Sequence, residues 1–138
     1  MRRKERRRAL GARRVVPLPV SAPFHCALMK PAEERLAPEL RALPVHDPCV
    51  PIVANVDAKL KRDGKAAVEA LVRQVSSPVL WEDIVHCLAS EGVTTYVEVG
   101  PGRVLGGLAR KMHKEAAVYA FGAPEDLDSI LFHARSDR

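Results

Sequence analysis

The 138-residue sequence predicts an α/β fold with a mostly parallel sheet, and three observations carry that reading. Short runs rich in β-branched residues alternate with longer runs of helical period, the order expected when helices cross over between parallel strands. Residues 80–90 place Trp81, Ile84, Val85 and Leu88 at i, i+3, i+4 and i+7, one apolar stripe of a helix. Residues 94–99 read as a strand and pass through Gly100-Pro101-Gly102 straight into another helical run.

Taken in order, Gly11 is placed to close a helix, and residues 15–18 read as a short strand. Pro19 and Pro23 break the apolar run, and His25 follows on a loop. Residues 27–43 read as a helix whose inward stripe is Leu28, Ala32, Leu36, Leu40 and Leu43, with a kink expected before Pro38. Residues 50–56 read as a buried strand ending at Asn55 and Asp57, and 59–64 as a charged turn. Residues 65–76 form the next helix, with Val68, Leu71, Val72 and Val75 on one side. In the 80–90 helix, Glu82 and Asp83 favour the positive end of the dipole. Residues 103–114 are a helix with Leu105, Leu108 and Met112 inward and Arg110, Lys111 and Lys114 near its end. Residues 117–121 give a last short strand and 124–133 a terminal helix.

Composition narrows the function classes. A hydrophobic content of 47% fits a globular chain, and no stretch approaches the roughly 18 apolar residues of a membrane span. The net charge of +5 is concentrated at one end. Residues 1–14 hold eight Lys/Arg against Glu5, leaving fourteen basic and sixteen acidic residues in the rest, a net of −2. The tail lacks the interleaved aromatics of a nucleic-acid surface and the body shows no basic face to extend it, so no nucleic-acid partner is expected. Cys26, Cys49 and Cys87 are odd in number and show no Cys-x-x-Cys spacing, which argues for a reducing cytoplasm and against a disulfide framework or zinc site. His46, His86, His113 and His133 have no metal-ligand spacing and read as surface or helix-face residues.

The candidate site is the segment Pro19-Val20-Ser21-Ala22-Pro23-Phe24-His25-Cys26-Ala27-Leu28-Met29. A histidine between a strand and a helix sits at the rim of an α/β sheet, where ligands gather, and imidazole is the usual proton carrier near neutral pH. On the residues alone, His25 is either such a group or a hydrogen-bonded loop residue. Gly100-Pro101-Gly102 lacks dinucleotide-loop spacing, and Pro101 removes a donor, so it reads as a structural turn.

The segment from Val20 to Met29 resembles the active-site histidine segment of the malonyl-CoA:acyl-carrier-protein transacylases. Three further blocks are similar to that family in order and spacing: Pro51-Ile52-Val53-Ala54-Asn55-Val56-Asp57, Leu71-Val72-Arg73-Gln74 with Pro78-Val79-Leu80-Trp81, and Tyr96-Val97-Glu98-Val99-Gly100-Pro101-Gly102-Arg103. The resemblance spans about residues 9–132. It implies that residues 9–138 are the C-terminal part of an α/β-hydrolase-like acyltransferase domain, plus the last strand of its ferredoxin-like subdomain. Residues 1–8 are a non-matching basic tail.

The resemblance also implies the chemistry. A serine takes the malonyl group from malonyl-CoA as an ester, and the phosphopantetheine thiol of acyl carrier protein takes it on, with no bound cofactor and no metal. His25 would be the general base. Gln74 would orient it through its backbone carbonyl, the alternative being an exposed helix glutamine. Phe24 would wall the substrate pocket and disfavour α-methyl groups, the alternative being simple packing.

The chain contains no Gly-x-Ser-x-Gly elbow. Ser76, Ser77, Ser90 and Ser129 lack flanking glycines, and Ser21 stands between Val20 and Ala22. The expectation is a C-terminal fragment of a longer enzyme of fatty-acid or polyketide synthesis, read from a start inside an interrupted gene. It would be inactive alone and prone to self-association through uncovered apolar surface. Its expected partners are acyl carrier protein, malonyl-CoA and a separate N-terminal half carrying the serine. The competing reading is a non-catalytic module that docks carrier protein.

Overall fold

A computed structural model of the chain describes residues 22–128 together with residues 5, 9–11 and 131. The strand expected at 15–18, Ser21 and much of the terminal helix expected at 124–133 lie outside the described residues. Among those described, the order is a 3-10 turn Ala27–Met29, α1 Lys30–Ala42, β1 Ile52–Val53, β2 Leu60–Lys61, α2 Gly64–Gln74, α3 Trp81–Ser90, β3 Thr95–Val99, α4 Val104–Met112, β4 Ala117–Phe121 and a 3-10 turn Pro124–Asp126.

β3 and β4 pair in parallel, from Thr95 opposite Ala117 to Val99 opposite Phe121, with α4 as the crossover. This is the βαβ unit that the alternation predicts. Ala117 donates its N–H to the Thr94 carbonyl, and Gly100 to that of Phe121. Val118 therefore points its carbonyl away from β3, where Arg110 Nη2 donates to it at 2.6 Å and blunts that edge. α4 lies close on the sheet because Gly106 has no side chain: a Cβ there would stand 2.9 Å from Glu98 Oε2 and 3.1 Å from Val118 Cγ1.

The buried strand expected at 50–56 is absent. Ile52–Val53 instead pairs antiparallel with Leu60–Lys61, Ile52 opposite Lys61 and Val53 opposite Leu60, in a short hairpin. Asn55 to Asp57 turn the chain, Ala58 has a φ of 50°, and Val50 is exposed. The core is small and lies between the helices: Val68, Ala70 and Val72 of α2, Ile84 and Val85 of α3, Ala109 of α4. Asp63 caps α2 by accepting from Ala66 N at 2.7 Å.

The leucine stripe of α1 is not its buried face. Leu28, Leu36 and Leu43 are exposed, while Glu33 and Ala37 are buried. The helix docks on α2 through that neighbouring face and through Arg41, whose guanidinium pairs with both oxygens of Glu69 at 2.6 and 2.8 Å. In α4, likewise, Gly106 and Ala109 are buried and Leu105 is exposed. Periodicity finds the apolar stripe; it does not choose which stripe a neighbour covers. Among the described residues no helix is long and apolar enough to cross a membrane.

Candidate active site

His25 stands where the chain turns from extended to helical. Its φ is 55°, in the left-handed region that a residue with a side chain rarely adopts. Local bonds hold it there. Phe24 N donates to the Ala22 carbonyl at 3.0 Å, Cys26 Sγ to that of Pro23 at 3.1 Å, and Met29 N to that of Cys26 at 2.9 Å, starting the 3-10 turn. The imidazole is exposed, and His25 Nδ1 lies 3.1 Å from the backbone oxygen of Gln74, 49 residues away.

That oxygen is available because Gln74 is the last residue of α2. The final carbonyls of a helix have no intrahelical partner, and here the other donor to Gln74 O is Ser77 N at 3.4 Å. A carbonyl can only accept, so the pair puts the proton on Nδ1 and leaves Nε2 with a lone pair, the form a general base needs.

Two residues that the sequence reading did not select join this arrangement. Asn55 Nδ2 donates to Gln74 Oε1 at 3.3 Å, and its carbonyl accepts from Leu80 N at 3.0 Å. Asn55 therefore links the hairpin, the end of α2 and the start of α3. A polar residue closing an apolar run was its one sequence signal. Glu33 of α1 accepts from Lys30 Nζ at 2.5 Å and from Ser76 Oγ. Both bonds hold its carboxyl below the usual carboxylate range, that from Lys30 the more strongly. Nothing in the sequence distinguishes Glu33 from any acid in a helix's first turn.

Phe24 is 56% exposed beside His25. The cavity nearest Gln74, about 260 Å³, is lined by Ile52, Asn55, Ala67 and Leu71 with Gln74 itself, and not by Phe24. The structure thus brings His25 and Gln74 together and leaves Phe24 as an open wall. Ser76 is engaged with Glu33, and Ser90 Oγ donates to the Cys87 carbonyl at 2.8 Å. Ser21, Ser129 and Ser136 lie outside the described residues. His113 Nδ1 meets Tyr96 Oη at 3.0 Å, away from this site. Among the described residues no group of three or more His, Cys, Asp or Glu is placed to hold a metal ion.

No family model matches the chain. It is 46% identical over 124 residues to the malonyl CoA-acyl carrier protein transacylase of Salmonella typhimurium, covering 90% of this chain and 40% of that protein. To the Bacillus subtilis protein of the same name it is 42% identical over 121 residues, covering 88% and 38%. Among solved structures, the acyl-carrier-protein S-malonyltransferase of Burkholderia pseudomallei matches with a TM-score of 0.83 at 41% identity, covering 92% of this chain and 41% of that one. A malonyl-transacylase solved in complex with a type II polyketide-synthase acyl-carrier protein matches with a TM-score of 0.83 at 40% identity, covering 91% and 41%. The chain spans about 40% of the length of the curated relatives that it matches. In sequence and in fold, it is a homologue of the C-terminal portion of the malonyl-CoA:acyl-carrier-protein transacylases.

Proposed function

We propose that residues 9–138 supply the histidine half of a Ser-His acyl-transfer site. That site moves a malonyl group from malonyl-CoA to the phosphopantetheine thiol of acyl carrier protein. The observation that carries the reading is the 3.1 Å contact between His25 Nδ1 and the Gln74 carbonyl.

A serine hydroxyl is a weak nucleophile at neutral pH and needs a base beside it. With Nδ1–H donated to Gln74, Nε2 of His25 takes the serine proton as Oγ attacks the thioester carbonyl of malonyl-CoA. The tetrahedral adduct collapses, the C–S bond breaks, and Nε2–H protonates the departing CoA thiolate. In the second half, Nε2 takes the proton of the carrier thiol, which attacks the malonyl-serine ester, and the serine leaves with that proton. Each half-reaction returns His25 to its starting state, so the cycle needs no redox partner or metal. Phe24, exposed beside His25, is the candidate wall against bulkier acyl groups. The nucleophile comes from polypeptide outside these 138 residues, and the isolated chain is inactive in this reading. Free thiols at Cys26, Cys49 and Cys87 suit a cytoplasmic setting.

The test is radiolabelled malonyl transfer to holo acyl carrier protein by this chain, alone and with the serine-bearing portion of a relative added in trans. The expected result is no transfer alone and transfer on addition. His25→Ala should then lower the rate by about 10²–10⁴, the usual contribution of a positioned general base. Restored transfer indifferent to His25→Ala would sink the proposal. Carrier-protein binding without transfer in the mixture would favour a docking module instead.

A further inference from the structure

An acid in the first turn of a helix ordinarily faces water and complements the dipole. Glu33 does neither: it is 6% exposed, and its carboxylate is turned toward Ser76, which lies beyond the end of another helix. A buried carboxylate costs desolvation and is retained where it is paired and bonded. Here Lys30 satisfies one oxygen and Ser76 the other.

The place of the Ser76 bond is what gives it meaning. Ser76 lies two residues beyond Gln74, and Glu33 eight beyond His25. The His25–Gln74 contact and the Glu33–Ser76 bond therefore tie the same two segments together at neighbouring points. His25 alone is poorly restrained: its ring is exposed, its backbone is in a left-handed conformation, and its ring contact is to a carbonyl at a helix end. The direction of that carbonyl depends on where residues 75–77 leave the helix, and Ser76 is the residue of that turn fastened to α1.

We propose that Glu33, acting through Ser76, is a positioning residue for His25. It holds the end of α2 so that the Gln74 carbonyl selects the Nδ1–H form of the imidazole. The proposal rests on the His25–Gln74 reading above and assigns the group that maintains it.

The test reads His25 directly by ¹⁵N–¹H correlation of its imidazole nitrogens in the intact chain, at a pH where the ring is neutral. Five proteins are compared: wild type, Glu33→Gln, Ser76→Ala, Ser76→Thr and Glu69→Gln. Glu69→Gln weakens a different link between α1 and α2, the pair with Arg41, and serves as the control for general loosening. Wild type, Ser76→Thr and Glu69→Gln should show the Nδ1–H form. Glu33→Gln and Ser76→Ala should lose it. Should Glu33→Gln fail to fold, Ser76→Ala carries the same readout with the loss of one hydroxyl. A wild-type Nδ1–H signal that survives Ser76→Ala overturns this inference and leaves the Gln74 role standing. A wild type without that signal overturns both.

Discussion

Removing the carboxylate of Glu98 should unfasten the start of α4. Glu98 sits on β3, yet its Oε1 accepts from Leu105 N at 3.1 Å and its Oε2 from Gly106 N at 2.8 Å. These are first-turn N–H groups without intrahelical partners, and Arg103 in the capping position makes no side-chain bond to them. Glu98 is thus a cap delivered from the neighbouring strand. Losing a cap costs about 1 kcal/mol, and a bond to a charged acceptor is worth about 1.5–3 kcal/mol. Leu105 N is partly able to recruit water, so about 2 kcal/mol is expected for Glu98→Ala, or roughly 8 °C in the thermal midpoint for a chain of this size. Glu98→Gln keeps one oxygen acceptor and should lose about half of that. Gly106→Ala adds a coupling test, because its Cβ would meet Glu98 Oε2 at 2.9 Å. It should cost less in the Glu98→Ala background than in wild type. The assay is thermal denaturation followed by far-UV circular dichroism. An unchanged midpoint for Glu98→Ala, or strict additivity with Gly106→Ala, would refute the capping role.

Other perturbations test the packing and the charges. Val85 is fully buried on α3, so Val85→Ala should cost about 2–3 kcal/mol in urea unfolding, and a loss well under 1 kcal/mol would mean that the site collapses freely. A Cβ on Gly64 would lie 2.6 Å from the His46 carbonyl oxygen, so Gly64→Ala should destabilise by about 1–3 kcal/mol despite its gain in helix propensity. An unchanged midpoint there would show that the 45–46 segment yields. Leu28→Lys with Leu36→Lys removes exposed apolar surface from α1 and should leave stability within about 0.5 kcal/mol while reducing self-association in sedimentation. A large loss would place that stripe in a core. Acid should unfold the chain through its carboxylates. Burial pushes Asp57 up, but bonds from Lys61 and Arg73 outweigh it and hold its pKa low. Arg41 lowers that of Glu69, and the N–H groups of Gly122 and Ala123 lower that of Asp126. Depressed folded-state values mean that stability is full above the unfolded values near about 4 and is lost as pH falls through the folded ones. The thermal midpoint should hold down to about pH 5 and then drop, and Asp57→Asn should flatten the drop; a midpoint level from pH 5 to 3 would contradict this.

The sequence by itself determined the local elements and the chemistry they offer. Period and β-branching located α2, α3, α4, β3 and β4 to within a few residues, because an amphipathic repeat records which side chains a segment can bury. The Pro-Phe-His segment and the Leu-Val-Arg-Gln block were legible as site material for a similar reason: a loop histidine and a helix-end carbonyl are local features. Tertiary structure alone decided which face each helix buries and which distant groups meet. The leucine stripe of α1 was visible, but α2 covers the Glu33–Ala37 face instead. Residues 50–56 were apolar enough for a buried strand, yet the turn at Ala58 folds them into a hairpin. Asn55, Glu33 and Glu98 each act on a partner 7 to 43 residues away. Their roles arise from side-chain direction across packed elements, and spacing along the chain carries no information about direction until the elements are docked.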